Sequence, residues 1–327
     1  MTASGPPAVS AEGLRKTYGA VEAVAGVDLR VEAGESFGFL GPNGAGKSTT
    51  IALLTTLARP TGGRAFVAGV DVVRDPARAR RHLGVVFQET TLDHDLTAWE
   101  NLRFHAELHG VPRRETRARI ADMLELVGLA AEQQQRTIRT FSGGMKRRLE
   151  IARGLLHTPD VLFLDEPTLG LDPYARNQLW EHLHRVRQER RTTVFLTTHY
   201  LDEADQCDRI AIIDHGRIVA QDTPTALKTA IGHDTVTLRT TDDEAARRAL
   251  AERFGRPATV GPAGLRVHVP DGPAILPRLC TELGVTVLAA TTARPSLDDV
   301  FLHHTGRDLH ATEPAQPPAL PRPTTRT

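Results

Sequence analysis

The chain has 327 residues, enough for two or three domains at roughly 100 to 200 residues each. Apolar residues make up 40% and charged residues 24%, proportions that exclude a wholly disordered, collagen-like or disulfide-scaffold chain and predict a soluble folded protein. Lysine and arginine total 40 against 40 acidic residues, so the basic excess that carries nucleic-acid affinity is missing and nucleic acid is not expected as a partner. Only Lys16, Lys47, Lys146 and Lys228 are lysines, and the surplus of arginine and alanine reads as the coding bias of a GC-rich genome. Cys207 and Cys280 lack the paired spacing of a zinc site and are expected as reduced thiols. Apolar runs such as Val161 to Leu164 are strand-sized, far short of the ~20 residues a membrane helix needs. Met1 to Val9 has no basic start and apolar run, so the chain is expected to remain in the cytoplasm.

In chain order, residues 1 to 8 are small, contain proline and are predicted to fray. From Val9 to about Leu227, short apolar runs alternate with helix-periodic segments, the pattern of an α/β sheet. The predicted strands are Val27 to Val31, Glu35 to Leu40, Leu83 to Phe87, Val161 to Asp165, Thr193 to Thr197 and Arg209 to Asp214. Between about Glu89 and Thr158 strand signals thin out and helices are expected at Arg114 to Val127 and Met145 to Leu156, which suggests a helical insert. From Asp234 a second rhythm begins. It reads as a strand (Thr235 to Arg239), a helix (Asp242 to Phe254), a hairpin (Ala258 to Val260 and Leu265 to Val269, turned at Gly261-Pro262-Ala263-Gly264), a helix interrupted or bent at Pro277 (Pro273 to Leu283), and a strand (Val285 to Ala290). That β-α-β-β-α-β order is the split βαβ arrangement of ferredoxin-like domains, expected over 234–305. Ala311 to Thr327 carries five prolines and is predicted to be disordered.

The strongest local signal is Gly41-Pro42-Asn43-Gly44-Ala45-Gly46-Lys47-Ser48, a phosphate-binding loop template set between the strand Ser36 to Leu40 and a helical segment, Ser48 to Leu57. Its glycines let backbone N–H groups cradle phosphate oxygens, and the helix start points its positive end at the same anion. Lys47 would neutralise the β and γ phosphates of a nucleotide, and the Ser48 hydroxyl would bind Mg²⁺; Thr49 is counted with the nucleotide-binding residues. A second signal is the apolar strand that ends in Asp165-Glu166. In a parallel sheet, ligands sit at the carboxyl ends of the strands, which places Asp165 near Ser48 and Mg²⁺ and leaves Glu166 to hold a water in line with the γ phosphate. A merely structural glycine turn and a capping pair before Pro167 are the plainer alternatives. Phe141-Ser142-Gly143-Gly144-Met145 opens another helix about 20 residues before this strand, so Ser142, Gly143 and Gly144 offer a second phosphate site.

Together these segments resemble the ATP-binding cassette of ABC transporters, whose Ser-Gly-Gly signature precedes the carboxylate strand. The resemblance covers roughly Val9 to Leu227. It implies that Tyr18 stacks on adenine, that Gln88 links nucleotide and Mg²⁺ to a transmembrane partner, and that His199 meets the γ phosphate. Taken singly, Tyr18 also reads as core, Gln88 as a strand-end cap and His199 as a satisfied turn histidine. Leu169-Gly170-Leu171-Asp172 resembles the loop through which two cassettes communicate. Phe141 and Met145 depart from the commonest signature without touching its phosphate-facing residues. Met145, the basic Lys146-Arg147-Arg148, and Pro295 to Phe301 resemble ATPases of bacterial drug exporters of the daunorubicin-resistance type.

The expected architecture is therefore an α/β P-loop NTPase cassette over 9–227, with a helical subdomain at about 89–158, followed by a small α+β domain. The resemblance implies an ATPase that powers drug or antibiotic export, works as a homodimer of cassettes, and binds an integral membrane permease at the cytoplasmic face. Trp99 and Phe104 are candidates for the permease groove and equally for core. An importer ATPase with a C-terminal regulatory domain, a soluble non-transport ABC ATPase and an ATP-sensing module without hydrolysis are the rival readings.

Overall fold

The computed structural model describes residues 6–306 except His233 and Pro262. The expected disordered tail, Ala311 to Thr327, and most of the expected frayed start lie outside the described residues. Ala8, expected to fray, is instead buried, and its carbonyl accepts a hydrogen bond from Ala68 N (2.8 Å). The chain forms two compact units, 6–221 and 222–306.

In the first unit, β1 (Val9–Tyr18), β2 (Val21–Val31), β4 (Gly62–Val67) and β5 (Val70–Asp71) build an antiparallel sheet in the order β2-β1-β4-β5. The second sheet comprises β3 (Ser36–Leu40), β6 (Leu83–Val86), β7 (Val161–Asp165), β8 (Thr193–Thr198), β9 (Arg209–Asp214) and β10 (Arg217–Asp222). Its order is β10-β9-β3-β8-β7-β6, and the five strands from β9 to β6 run parallel. All residues of β3, β7 and β8 are buried, as expected of parallel strands covered on both faces. Phe37 and Phe163 each pair in register with Phe195, their rings 5.5 and 5.4 Å from its ring, so three adjacent strands interlock at one level. Apolar residues of both sheets and of α1 (Lys47–Leu54) form one continuous core.

The short α2 (Pro76–Ala79) precedes β6. The helical insert consists of α3 (Ala98–Leu108), α4 (Arg113–Leu126), α5 (Ala131–Gln134), a 3-10 turn at Ile138–Thr140, and α6 (Gly143–Leu155). Thr97 starts α3 with a capping box: its hydroxyl accepts from Glu100 N (3.2 Å), and Glu100 Oε2 accepts from Thr97 N (2.8 Å). α6 returns to the sheet so closely that a Cβ at Gly84 on β6 would stand 2.1 Å from Gly154 O, which is why glycine occupies position 84. α7 (Pro173–Arg190) and α8 (Leu201–Ala204) follow β7 and β8.

The second unit begins with α9 (Pro224–Ile231). The expected cassette boundary at 227 falls inside this helix, which packs on α12 (Leu297–Thr305) within its own unit. Strands β11 (Asp234–Thr240), β12 (Ala258–Gly261), β13 (Gly264–Val269) and β14 (Val287–Ala293) alternate with α10 (Asp243–Phe254) and α11 (Gly272–Glu282). The antiparallel order β12-β13-β11-β14 is that of a split βαβ domain. Val236, Leu238, Leu265, Val267 and Val269 form its core with Ala246, Leu250 and Leu279 of the two helices. Of the two expectations at Pro277, an interruption or a bend, the interruption does not occur: α11 runs through Pro277. The last strand lies a few positions later than expected.

Candidate nucleotide site

The phosphate-loop template connects β3 to α1, so it emerges at the carboxyl end of a central strand between β8 and β9. Gly46 precedes α1 with φ +105°, and a Cβ there would stand 2.4 Å from Ala23 O on β2; only glycine fits both the turn and the approach. Among the described residues no side chain caps α1, and no acidic residue lies in its first turn, so its leading N–H groups remain available to an anion. Lys47 is buried, and its Nζ donates to Gly41 O (2.8 Å) and Pro42 O (3.1 Å).

Asp165 ends β7, and its Oδ1 accepts from Ser48 Oγ (3.1 Å) and Thr197 Oγ1 (2.6 Å). Glu166 follows in the left-handed region, with φ +45°. This turn brings Glu166 Oε1 to 3.2 Å from Lys47 Nζ and 3.3 Å from His199 Nδ1. Burial alone would raise the Glu166 carboxyl, but His199 and Lys47 outweigh it and hold it below the usual carboxylate range. Burial lowers the Lys47 ammonium, and Glu166 and Asp165 oppose that only in part. The cluster therefore holds an ionised carboxylate within reach of a buried cation and a histidine, the equipment for positioning and deprotonating a nucleophile.

Two residues central to this geometry escaped the sequence reading. Thr197 on β8 donates to Asp165 and accepts from Glu166 N (3.0 Å), so one hydroxyl holds both carboxylate residues. Glu203 on α8 accepts from Thr198 Oγ1 (2.6 Å) and from Thr168 Oγ1, tying the segments that leave β7 and β8. Burial raises the Glu203 carboxyl despite these donors. The available signal was chemical: hydroxyls at the end of an otherwise apolar parallel strand need buried partners.

Lys47, Ser48, Asp165, Glu166 and His199 thus meet in one place. Gly41, Ala45 and Gly46 of the loop are buried, and the remaining candidates are half-buried or exposed. Tyr18 is 37% exposed, which removes the core reading, and Lys16 Nζ lies 4.8 Å from its ring centre. Tyr18 pairs with Val21, two residues along β2 from Ala23, whose carbonyl abuts Gly46. Gln88 is exposed just beyond β6. Asn43 and Gly44 face solvent, and Thr49 is half-buried in α1. Ser142 caps α6 by accepting from Met145 N (3.3 Å), and both Ser142 and Gly143 are exposed. Gly144 is half-buried against Ala175, so the signature lies over the start of α7 in its own chain. Trp99 is half-buried, whereas Phe104 is 59% exposed and is not core.

The ABC transporter family pattern matches residues 24–169. Over 324 residues the chain is 44% identical to the daunorubicin/doxorubicin resistance ATP-binding protein DrrA of Streptomyces peucetius, covering 94% of this chain and 96% of that one. It is 38% identical over 312 residues to the linearmycin resistance ATP-binding protein LnrL of Bacillus subtilis (strain 168), covering 92% and 99%. A solved dimeric ATP-binding cassette in a post-hydrolysis state, bound to ADP and Pi, matches with a TM-score of 0.60 at 27% identity, over 66% of this chain and 98% of that one. With its phosphate loop, carboxylate pair and histidine assembled at the carboxyl ends of a parallel sheet, and with this identity along nearly its whole length, the chain belongs to the ATP-hydrolysing, ATP-binding subunits of ABC transporters.

Proposed function

We propose that this chain powers export of a drug, antibiotic or other amphiphilic compound through a separate integral membrane permease, acting as a homodimer of cassettes at the cytoplasmic face. Near-complete coverage of two resistance proteins supports export, and leaves the importer and non-transport readings without a favouring observation. Among the described residues no helix is long and apolar enough to cross a membrane.

The observation that carries the catalytic reading is the placement of Glu166 Oε1 between Lys47 and His199. Lys47 and the loop N–H groups hold the β and γ phosphates, while Tyr18 stacks on adenine. The Ser48 hydroxyl and the Asp165 carboxylate, 3.1 Å apart, are hard oxygen donors that fit Mg²⁺, with Gln88 as a further oxygen ligand. Bound there, Mg²⁺ would neutralise charge on the phosphate oxygens. Glu166 takes a proton from the attacking water as its oxygen bonds to the γ phosphorus and the bond to the ADP oxygen breaks; His199 orients the γ phosphate. The exposed Ser142 and Gly143, with the half-buried Gly144, contact the γ phosphate of nucleotide bound to the second copy. Because one chain supplies one loop and one signature, two chains complete two sites.

Glu166→Gln keeps side-chain shape and removes the charge that polarises water, so ATP binding survives and hydrolysis fails. The variant accumulates as an ATP-dependent dimer in sedimentation, and adding Ser142→Arg abolishes it. Normal hydrolysis by the single variant rejects Glu166 as the base, and a double variant that still closes around ATP rejects the shared site. Stimulation of the ATPase by candidate compounds, measured with the permease that co-purifies, tests export.

A further inference from the structure

Beyond Ser142, α6 carries Arg147, Glu150 and Arg153 at helical spacing, all buried. Charged side chains are seldom so enclosed unless every donor is engaged. Arg147 Nε donates to Pro167 O (2.6 Å), one terminal nitrogen to Asp165 O (3.3 Å) and Glu166 O (2.9 Å), and the other to Glu150 Oε2 (3.1 Å) and Phe87 O. Three consecutive carbonyls, from 165 to 167, thus converge on one guanidinium. Carbonyls of an extended chain point alternately to opposite sides, so they converge only where the chain turns, and Glu166 with φ +45° is that turn. The same turn aims its carboxylate at Lys47 and His199.

The row also grips the segment that holds Gln88. Arg147 takes the Phe87 carbonyl; Glu150 Oε1 accepts from Thr91 N (2.9 Å), and Arg153 donates to Thr91 Oγ1. Ser142 lies five residues before Arg147, roughly 7.5 Å along the same rigid helix. We propose that Arg147 is a positioning residue for hydrolysis: it holds Glu166 in its left-handed turn and couples that turn mechanically to the helix start at Ser142. On the shared-site reading proposed above, seating of Ser142 against a partner's nucleotide then adjusts Glu166 over the nucleotide of its own chain. No aliphatic or amide side chain supplies this fan of donors, and lysine lacks the planar fork.

The test is steady-state ATPase with Arg147→Gln and Arg147→Lys, with Arg147→Gln/Glu150→Gln as the variant that leaves no buried carboxylate unpaired. The proposal expects KM for ATP within about 3-fold of wild type and kcat lower by at least about 10-fold, least in the lysine variant. Wild-type kcat, a loss confined to KM, or a kcat no better in Arg147→Lys than in Arg147→Gln overturns it, and so does failure of all three variants to fold. In the Glu166→Gln background, adding Arg147→Gln should leave the ATP-dependent dimer intact. If Glu166→Gln alone never dimerises, the shared site and the coupling to a partner fail, while the kinetic split still decides the positioning of Glu166.

Discussion

Lys47 Nζ and Glu166 Oε1 stand 3.2 Å apart with their side chains 4% and 10% exposed, although 119 positions separate them in the chain. The pair couples the phosphate loop to the carboxylate turn, so each residue sets the electrostatic environment of the other. Removing Lys47 takes away the loop's buried cation and one of the two groups that keep Glu166 ionised. Lys47→Ala is expected to weaken ATP binding by about 100-fold, the scale of losing charge-assisted hydrogen bonds. Calorimetric titration with ATP reads this directly, and wild-type affinity together with wild-type turnover would contradict the assignment.

Thr197 is the hydroxyl on which both carboxylate residues depend. Thr197→Val preserves shape but leaves Glu166 N without its acceptor and Asp165 without its 2.6 Å donor. A loss of about 1–3 kcal/mol in unfolding free energy is expected, with a fall in kcat larger than any rise in KM. Thr197→Ser restores the hydroxyl and should recover most of both; urea unfolding and ATPase assays on the two variants check it.

His157 donates from Nε2 to Leu83 O (3.0 Å), stacks on His109 at 4.1 Å, and has a buried Nδ1 without a hydrogen-bond partner among the described residues. Burial, reinforced by His109, lowers it to about 4, and burial with Arg153 and His109 lowers His105 to about 4 as well. Below the ordinary value of 6.5, the unfolded chain binds these protons more readily than the folded one, so stability should fall as pH drops from about 6.5 toward 4. His157→Asn keeps a donor for Leu83 O and removes one titration. Allowing for partial exposure, it should flatten the slope by about 1–2 kcal/mol over that window, as read from denaturant midpoints at several pH values.

The unit 222–306 has its own sheet and apolar core. A chain ending after Asp222 is therefore expected to fold and bind ATP, keeping β10 beside β9. Insolubility of this truncation, or loss of ATP binding in equilibrium dialysis, would place the boundary elsewhere.

What the sequence determined by itself was local: a strand, glycine loop and helix over 36–54, an apolar strand ending in Asp165-Glu166, and the βαββαβ rhythm of the second unit. Contiguous residues suffice for these because turn chemistry, capping and alternation act over a few positions. β1 was missed because its register shifts between Ala11 and Leu14, so the buried positions Val9, Ala11 and Leu14 break the period of two. Lys146-Arg147-Arg148 read as one basic run. Yet Arg147 is enclosed by carbonyls at the exits of β6 and β7, while Arg148 donates to Val127 O and Gly128 O. Strand order, the left-handed turn at Glu166 and the hydroxyl of Thr197 between two carboxylates were decided only by tertiary structure. Each depends on groups 18 to 172 positions apart that meet only once the sheet has closed, because buried polar atoms then take whichever partners the fold brings within hydrogen-bonding distance.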